Sequence, residues 1–199
     1  SRRFAAQSFS LTRIRSVCEA TDTTVNDVVM AMCATALRCY LLEQDQLPDK
    51  PLIAMVPVNL RRDDSEGGNQ VGILLASLFT HLADPLERLR HIHEEVRRQK
   101  ERYRAMSAEE VINYTALTLA PAAFQLLTGM APKWQTFNVV ISNVPGPEST
   151  LYWNGARLEG IYPVSIVMDR LGLNMTLATY GDQVEFGLTG CRRTLPSLQ

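Results

Sequence analysis

The chain has 199 residues, 46 % of them hydrophobic and 21 % charged, with 20 Lys+Arg against 21 Asp+Glu and a net charge of −1. So apolar a chain can bury a core, which excludes disorder as its main state. The balanced charge argues against a nucleic-acid-binding domain, which would carry a basic excess. The length suits one domain, or one lobe of something larger. Residue 1 is Ser, residues Ser1–Phe4 hold no apolar stretch of signal-peptide length, and Leu195–Gln199 stop without a clear terminal element. The chain is therefore expected to be a piece of a longer protein. Cys18, Cys33, Cys39 and Cys191 form no CxxC pair, and are expected to be reduced, packed thiols rather than a disulfide framework or a zinc site.

In chain order, Ala6–Arg13 alternates loosely and is expected to be a strand, followed by a short helix over Thr12–Ala20. Thr24 is a good N-cap, and Asp27, three residues later, can return a bond to a free amide. Apolar residues from Val25 to Leu41 then recur at helical spacing, predicting a helix over Val25–Gln44. Pro51–Leu60 reads as a buried strand, with Pro57 marking an edge or a bulge. Arg61–Asn69 is a polar loop around Gly67-Gly68, and Val71–Leu82 a second strand. Asp84-Pro85-Leu86-Glu87 combines a cap, an N1 proline and a capping-box glutamate. The helix it opens should reach Ala105, burying Leu86, Leu89, Ile92 and Val96.

No charge occurs between Val111 and Pro132. That is long enough to span a bilayer, but Asn113, Gln125, Pro121 and Pro132 argue for two helices broken near Pro121. The first is opened by the Ser107–Glu110 capping box. Leu117, Leu119, Phe124, Leu126, Leu127 and Met130 supply more apolar surface than one face of such helices needs. Part of it is expected to be exposed, toward lipid, membrane or another lobe. Phe137–Val144 is β-rich and predicted to be a central strand. Asn154-Gly155 signals a hairpin between Leu151–Trp153 and Arg157–Ile161. Gly181-Asp182 signals another between Leu173–Tyr180 and Gln183–Leu188. Helices interleaved with strands predict a mixed sheet covered by helices on one face.

His81, His91 and His93 are the only histidines. His91 and His93 are two apart and do not share a helix face, which argues against a metal pair. No GxSxG, phosphate-loop or dinucleotide fingerprint occurs. The segment Glu87–Arg104 carries seven Lys/Arg against four Glu. It reads as a solvated helix face, or alternatively as a patch for an anionic head group. Asn26-Asp27 can be a cap or a site pair. Ser142-Asn143-Val144-Pro145-Gly146-Pro147 places two small polar side chains at a strand end before a rigid turn. Such side chains can orient a carbonyl or stabilise an oxyanion, and a plain turn would account for them as well.

Together these segments resemble the bacterial wax ester synthase/acyl-CoA:diacylglycerol acyltransferase family. Thr24-Val25-Asn26-Asp27-Val28 is similar to its ND motif, and Pro57-Val58-Asn59-Leu60-Arg61 to its P-V-S-x-R segment. Gly68-Asn69-Gln70-Val71-Gly72 is similar to the Gly-Asn element that follows. Asn138–Pro147 resembles its C-terminal motif, and Tyr162-Pro163 and Leu173-Asn174 also sit where the family has them.

The resemblance implies an α/β fold, a chloramphenicol-acetyltransferase-like lobe with a mixed β-sheet covered by helices on one face. In this superfamily two such lobes meet at a tunnel, and this chain would be the C-terminal one. The family's H-H-x-x-x-D-G and P-L-W motifs belong to the other lobe and are absent here, so the chain alone is expected to be inactive. The implied reaction moves a fatty acyl group from acyl-CoA, a substrate, to a long-chain alcohol or diacylglycerol. No cofactor and no metal are implied. Ser142, and second Asn143, would stabilise the oxyanion, on a strand that in the carnitine acyltransferases is serine-rich and faces the histidine. Asn26 and Asp27 would hold the lobe interface and acceptor channel. The implied partners are the N-terminal lobe, the two substrates, and a peripheral membrane or lipid-droplet surface; the implied location is cytoplasmic, at the inner membrane or lipid bodies. A non-catalytic lipid-binding or interaction lobe, and a condensation-type acyltransferase using a carrier protein, are the alternatives.

Overall fold

The computed structural model describes residues 1–59, 71–128, 135–147, 149–168 and 171–198. The elements are β1 (Arg2–Ser10), α1 (Leu11–Thr21), α2 (Val25–Glu43), β2 (Ile53–Asn59), β3 (Val71–Ser77), α3 (Pro85–Ala105), α4 (Ala108–Thr128), β4 (Val139–Val144), β5 (Tyr152–Trp153), β6 (Ala156–Arg157), β7 (Leu173–Tyr180) and β8 (Gln183–Cys191). Six strands form one mixed sheet in the order β1-β8-β7-β4-β2-β3. β4 is central and parallel to both neighbours; the other pairs are antiparallel. β5 and β6 form a separate hairpin, turned by Asn154 and Gly155 at φ 46° and 85°, as an Asn-Gly type I′ turn requires.

Alternate residues of the strands point to one apolar layer, among them Val56, Leu74, Ile141, Leu177 and Val184. Against it pack Ile14 of α1, Val29 and Met30 of α2, and Ile92 and Val96 of α3, while α4 joins through Val111 and Tyr114. The helices therefore cover one face, as the alternation of element types predicts. The opposite face carries Asn174, Thr176, Glu185 and Thr189, all buried.

The caps form as the residues dictate. Thr24 and Asp27 make a reciprocal capping box on α2, Asp84 accepts from the Leu86 and Glu87 amides, and Ser107 and Glu110 exchange bonds at the start of α4.

Several expectations are corrected. The first strand is Arg2–Ser10, held in register by β8 along its length, and α1 begins directly after it. β3 stops at Ser77, where the Glu95 carboxylate takes over the Ser77 amide. The hairpin strands at Asn154-Gly155 are two residues each, and β8 runs on to Cys191. β2 is internal; it pairs with β4 only at Ala54 and Met55, so Pro57 stands beyond that ladder, where a missing N–H costs no bond. Leu86 is exposed. Arg88 does not join a solvated face: it is 2 % exposed, and donates to the Leu82 and Ala83 carbonyls and to Thr35 Oγ1. Cys33 is buried but Cys39 is exposed.

The expected pair of helices around Pro121 is one helix, Ala108–Thr128, with Pro121 inside it. Proline there removes one amide and leaves the Leu117 carbonyl without its helical donor. Leu117 is exposed, so water can serve that carbonyl. Leu117, Phe124 and Leu127 are exposed as expected; Leu119 is half-buried. The side chain of Leu126, Met130 and the loop Arg61–Asn69 lie outside the described residues.

Candidate functional site

β4 ends in Ser142, Asn143 and Val144, and the turn after it is fixed by contact with β7. A Cβ on Gly146 would come within 1.9 Å of the Thr179 carbonyl oxygen, and the Gly146 amide donates to Thr179 Oγ1 at 3.0 Å. The glycine of the Pro-Gly-Pro run is thus required by a close approach of two backbones.

Register separates the two polar side chains. Asn143 pairs with Leu177, and Ile141 with Met175, on the helix side of the sheet. Its Oδ1 is buried there with no partner among the described residues. Ser142 pairs with Thr176 on the opposite side. Its hydroxyl is half-buried and has no side-chain partner among the described residues. Next to it Thr176 Oγ1 is 2.5 Å from Ser165 Oγ and donates to Asn174 Oδ1 at 3.1 Å. Ser142 therefore offers a free donor on a strand end whose surroundings are otherwise hydrogen-bonded.

Leu37 and Tyr40, in the last turns of α2, line an apolar cavity of about 120 Å³ with Leu173 and Met175 at the start of β7. α2 runs antiparallel to α3, with Thr35 meeting Arg88 and Asp27, in the first turn, meeting His93. Asp27 in that turn is 2 % exposed. Its Oδ2 accepts from the Thr24 amide at 3.0 Å, Thr24 Oγ1 at 2.7 Å and His93 Nδ1 at 2.8 Å. The aspartate ties α2 to α3 as well as capping α2. Asn26 beside it donates only to Met30 Sδ, at 3.6 Å. Sequence reasoning missed His93: nothing local relates positions 27 and 93, which the antiparallel packing of α2 and α3 brings together.

Cys191 lies at the far end of the sheet from Val144. Bonds from the Thr194 amide and hydroxyl and the Arg193 amide lower its thiol to about 7. Burial raises the Cys33 thiol to about 12. Among the described residues no cluster of His, Cys, Asp and Glu is arranged to hold a metal ion.

A central parallel strand flanked by antiparallel ones, with helices on one face, is also the fold of peptide-synthetase condensation domains. The starter condensation domain of rhizomide synthetase, solved with C8-CoA and Leu-SNAC, matches 95 % of this chain and 39 % of its own at 13 % identity and a TM-score of 0.53. The family profile described as WS/DGAT C-terminal domain matches residues 67–199, and the wax ester synthase/diacylglycerol acyltransferase catalytic domain profile matches residues 1–29. The chain belongs to the wax ester synthase/diacylglycerol acyltransferase family. It is 50 % identical over its whole length to O-acyltransferase WSD of Acinetobacter baylyi, covering 43 % of that protein. It superimposes at a TM-score of 0.90 and 68 % identity on the wax ester synthase/diacylglycerol acyltransferase of Marinobacter aquaeolei VT8, covering 45 % of that chain. The chain thus spans less than half the length of these relatives. The ND pair falls in the segment matched by the catalytic-domain profile, yet β1 of that segment is an integral strand of this sheet.

Proposed function

We propose that this chain is the C-terminal half of an O-acyltransferase that passes a fatty acyl group from acyl-CoA to a long-chain alcohol or diacylglycerol. The observation that carries the reading is the Ser142 hydroxyl, without a side-chain partner among the described residues, on the central strand of a family member, beside the hydrogen-bonded Thr176. A histidine from the N-terminal lobe takes the proton of the acceptor hydroxyl. The acceptor oxygen attacks the thioester carbon, and Ser142 donates to the oxyanion that forms. The C–S bond then breaks, the ester is released, and the CoA thiolate recovers the proton from the histidine. Asn26 and Asp27 hold the lobe interface and the acceptor channel; Asp27 does so by fixing the first turn of α2 against His93.

Both acceptors partition into lipid. The outward face of α4 beyond Glu110, uncharged and with Ile112, Leu117, Phe124 and Leu127 exposed, is suited to meet a membrane or lipid-droplet surface, which would make the whole protein a peripheral one on the cytoplasmic side. Incubating the full-length protein with labelled acyl-CoA and either acceptor tests the reading. Wax ester or triacylglycerol is expected, and Ser142→Ala should lower its rate roughly 10²-fold. Release of free fatty acid alone, or no product with either acceptor, refutes it.

A further inference from the structure

One end of the sheet collects positive charge that no described carboxylate neutralises. Arg2 pairs with Cys191 across β1 and β8, and the turn after β8 adds Arg192 and Arg193. All three arginines are exposed. Among the described residues none of them lies within ion-pair distance of an acid. Residues 1–18 and 186–199 contain no Asp or Glu at all. The one side-chain bond the three make among the described residues runs from Arg2 to the Val167 carbonyl, at 3.0 Å, so most of their N–H donors are open.

The turn itself favours negative charge. The Thr194 amide and hydroxyl and the Arg193 amide donate to Cys191 Sγ and bring its thiol down to about 7. The Thr194 and Leu195 amides return to the Cys191 carbonyl at 3.1 and 2.8 Å, which closes the turn that carries Arg192 and Arg193.

Its place relative to Ser142 follows from the ladders. Ser142 pairs with Thr176, Thr176 with Gly187, and Gly187 with Ala6. Arg2 lies further along β1, an even number of residues from Ala6, so it shares the face of Ser142, with about 20 Å between the two backbones. Acyl-CoA has matching dimensions. With its thioester at Ser142, an extended pantetheine arm puts the diphosphate about 16 Å away, and the arginine side chains cover the remainder.

We propose that Arg2, Arg192 and Arg193 bind the diphosphate and 3′-phosphate of acyl-CoA. This rests on the reading above that acyl-CoA is the acyl donor. A phosphate monoester carries a charge of about −1.5 to −2, and a guanidinium meets it with paired N–H donors. The other basic run, Arg97–Arg104 of α3, does not fit. α3 packs on the helix-covered face, away from Ser142; Glu101 interrupts the run, and Arg102 lies over the Tyr114 ring at 5.1 Å.

The test is calorimetric titration of the full-length protein with CoA and with dephospho-CoA, which lacks the 3′-phosphate. The wild-type protein should bind CoA roughly 10-fold more tightly than dephospho-CoA. Arg192→Gln with Arg193→Gln, both exposed positions, should weaken CoA binding at least about 10-fold and erase that preference. Arg97→Gln with Arg98→Gln on α3 should leave CoA affinity unchanged. Equal affinity of the wild-type protein for the two ligands, no binding of either, undiminished binding by the Arg192/Arg193 variant, or an equal loss in the α3 variant would overturn the proposal. The readout needs no turnover: CoA binding that depends on Arg192 and Arg193, without ester formation, keeps the phosphate site and removes the acyl-transfer reading.

Discussion

Ser142 and Asn143 are consecutive in β4 and project from opposite faces of the sheet, Ser142 beside Thr176 and Asn143 beside Leu177. They cannot both donate to one oxyanion. Ser142→Ala should therefore cost roughly 10²-fold in turnover, whereas Asn143→Ala should act mainly on packing. Because Asn143 Oδ1 has no partner among the described residues, its removal should change stability by less than about 1 kcal/mol. Parallel turnover and urea-unfolding measurements on the two variants check this. A loss at Asn143→Ala equal to that at Ser142→Ala would place the donor on the helix side.

Asp27 carries three bonds on one buried oxygen. Asp27→Ala removes a cap and a charge-assisted bond, and should destabilise the protein by about 2–3 kcal/mol. His93→Ala should cost less. A double-mutant cycle should give a coupling of roughly 1–2 kcal/mol between the two. Additive effects would mean that the 2.8 Å contact holds nothing together.

Much of this was legible in advance because it is local. Thr24 with Asp27, and Asp84 with Pro85 and Glu87, announce their helices within four residues. Asn154-Gly155 and Gly181-Asp182 announce their hairpins. What was illegible depends on distant partners. Arg88 looks like one cation among seven until the Leu82 and Ala83 carbonyls and Thr35 enclose it. Pro121 reads as a break by its chemistry, and the helix continues through it beside a solvent-exposed turn. The motif Ser142-Asn143 was legible as a site, but not the opposite destinations of its two side chains.

The outward face of α4 should bind lipid. Leu117→Glu with Leu127→Glu in the full-length protein should abolish its co-sedimentation with diacylglycerol-containing vesicles while leaving its circular dichroism unchanged, since both side chains are already exposed. Unfolding of the double variant would instead put this face in a packed interface.

Cys191 and Cys33 should separate by alkylation. With its thiol at about 7, Cys191 should react with iodoacetamide at a rate that rises with pH and levels off above roughly pH 8, as the thiolate fraction saturates. Cys33, held at about 12 and buried, should stay unmodified in the native protein over the same range. Mass spectrometry of tryptic peptides checks both; labelling of Cys33 at the rate of Cys191 would contradict the packing of α2.

The most direct test of the whole account is thiol release from a long-chain acyl-CoA in the presence of a long-chain alcohol, measured on the full-length protein and on the 199-residue chain alone. The account predicts acceptor-dependent CoA release by the full-length protein and none by this chain, in which no two histidines are adjacent. Sustained, acceptor-dependent turnover by the 199-residue chain, or none by the full-length protein, would contradict it.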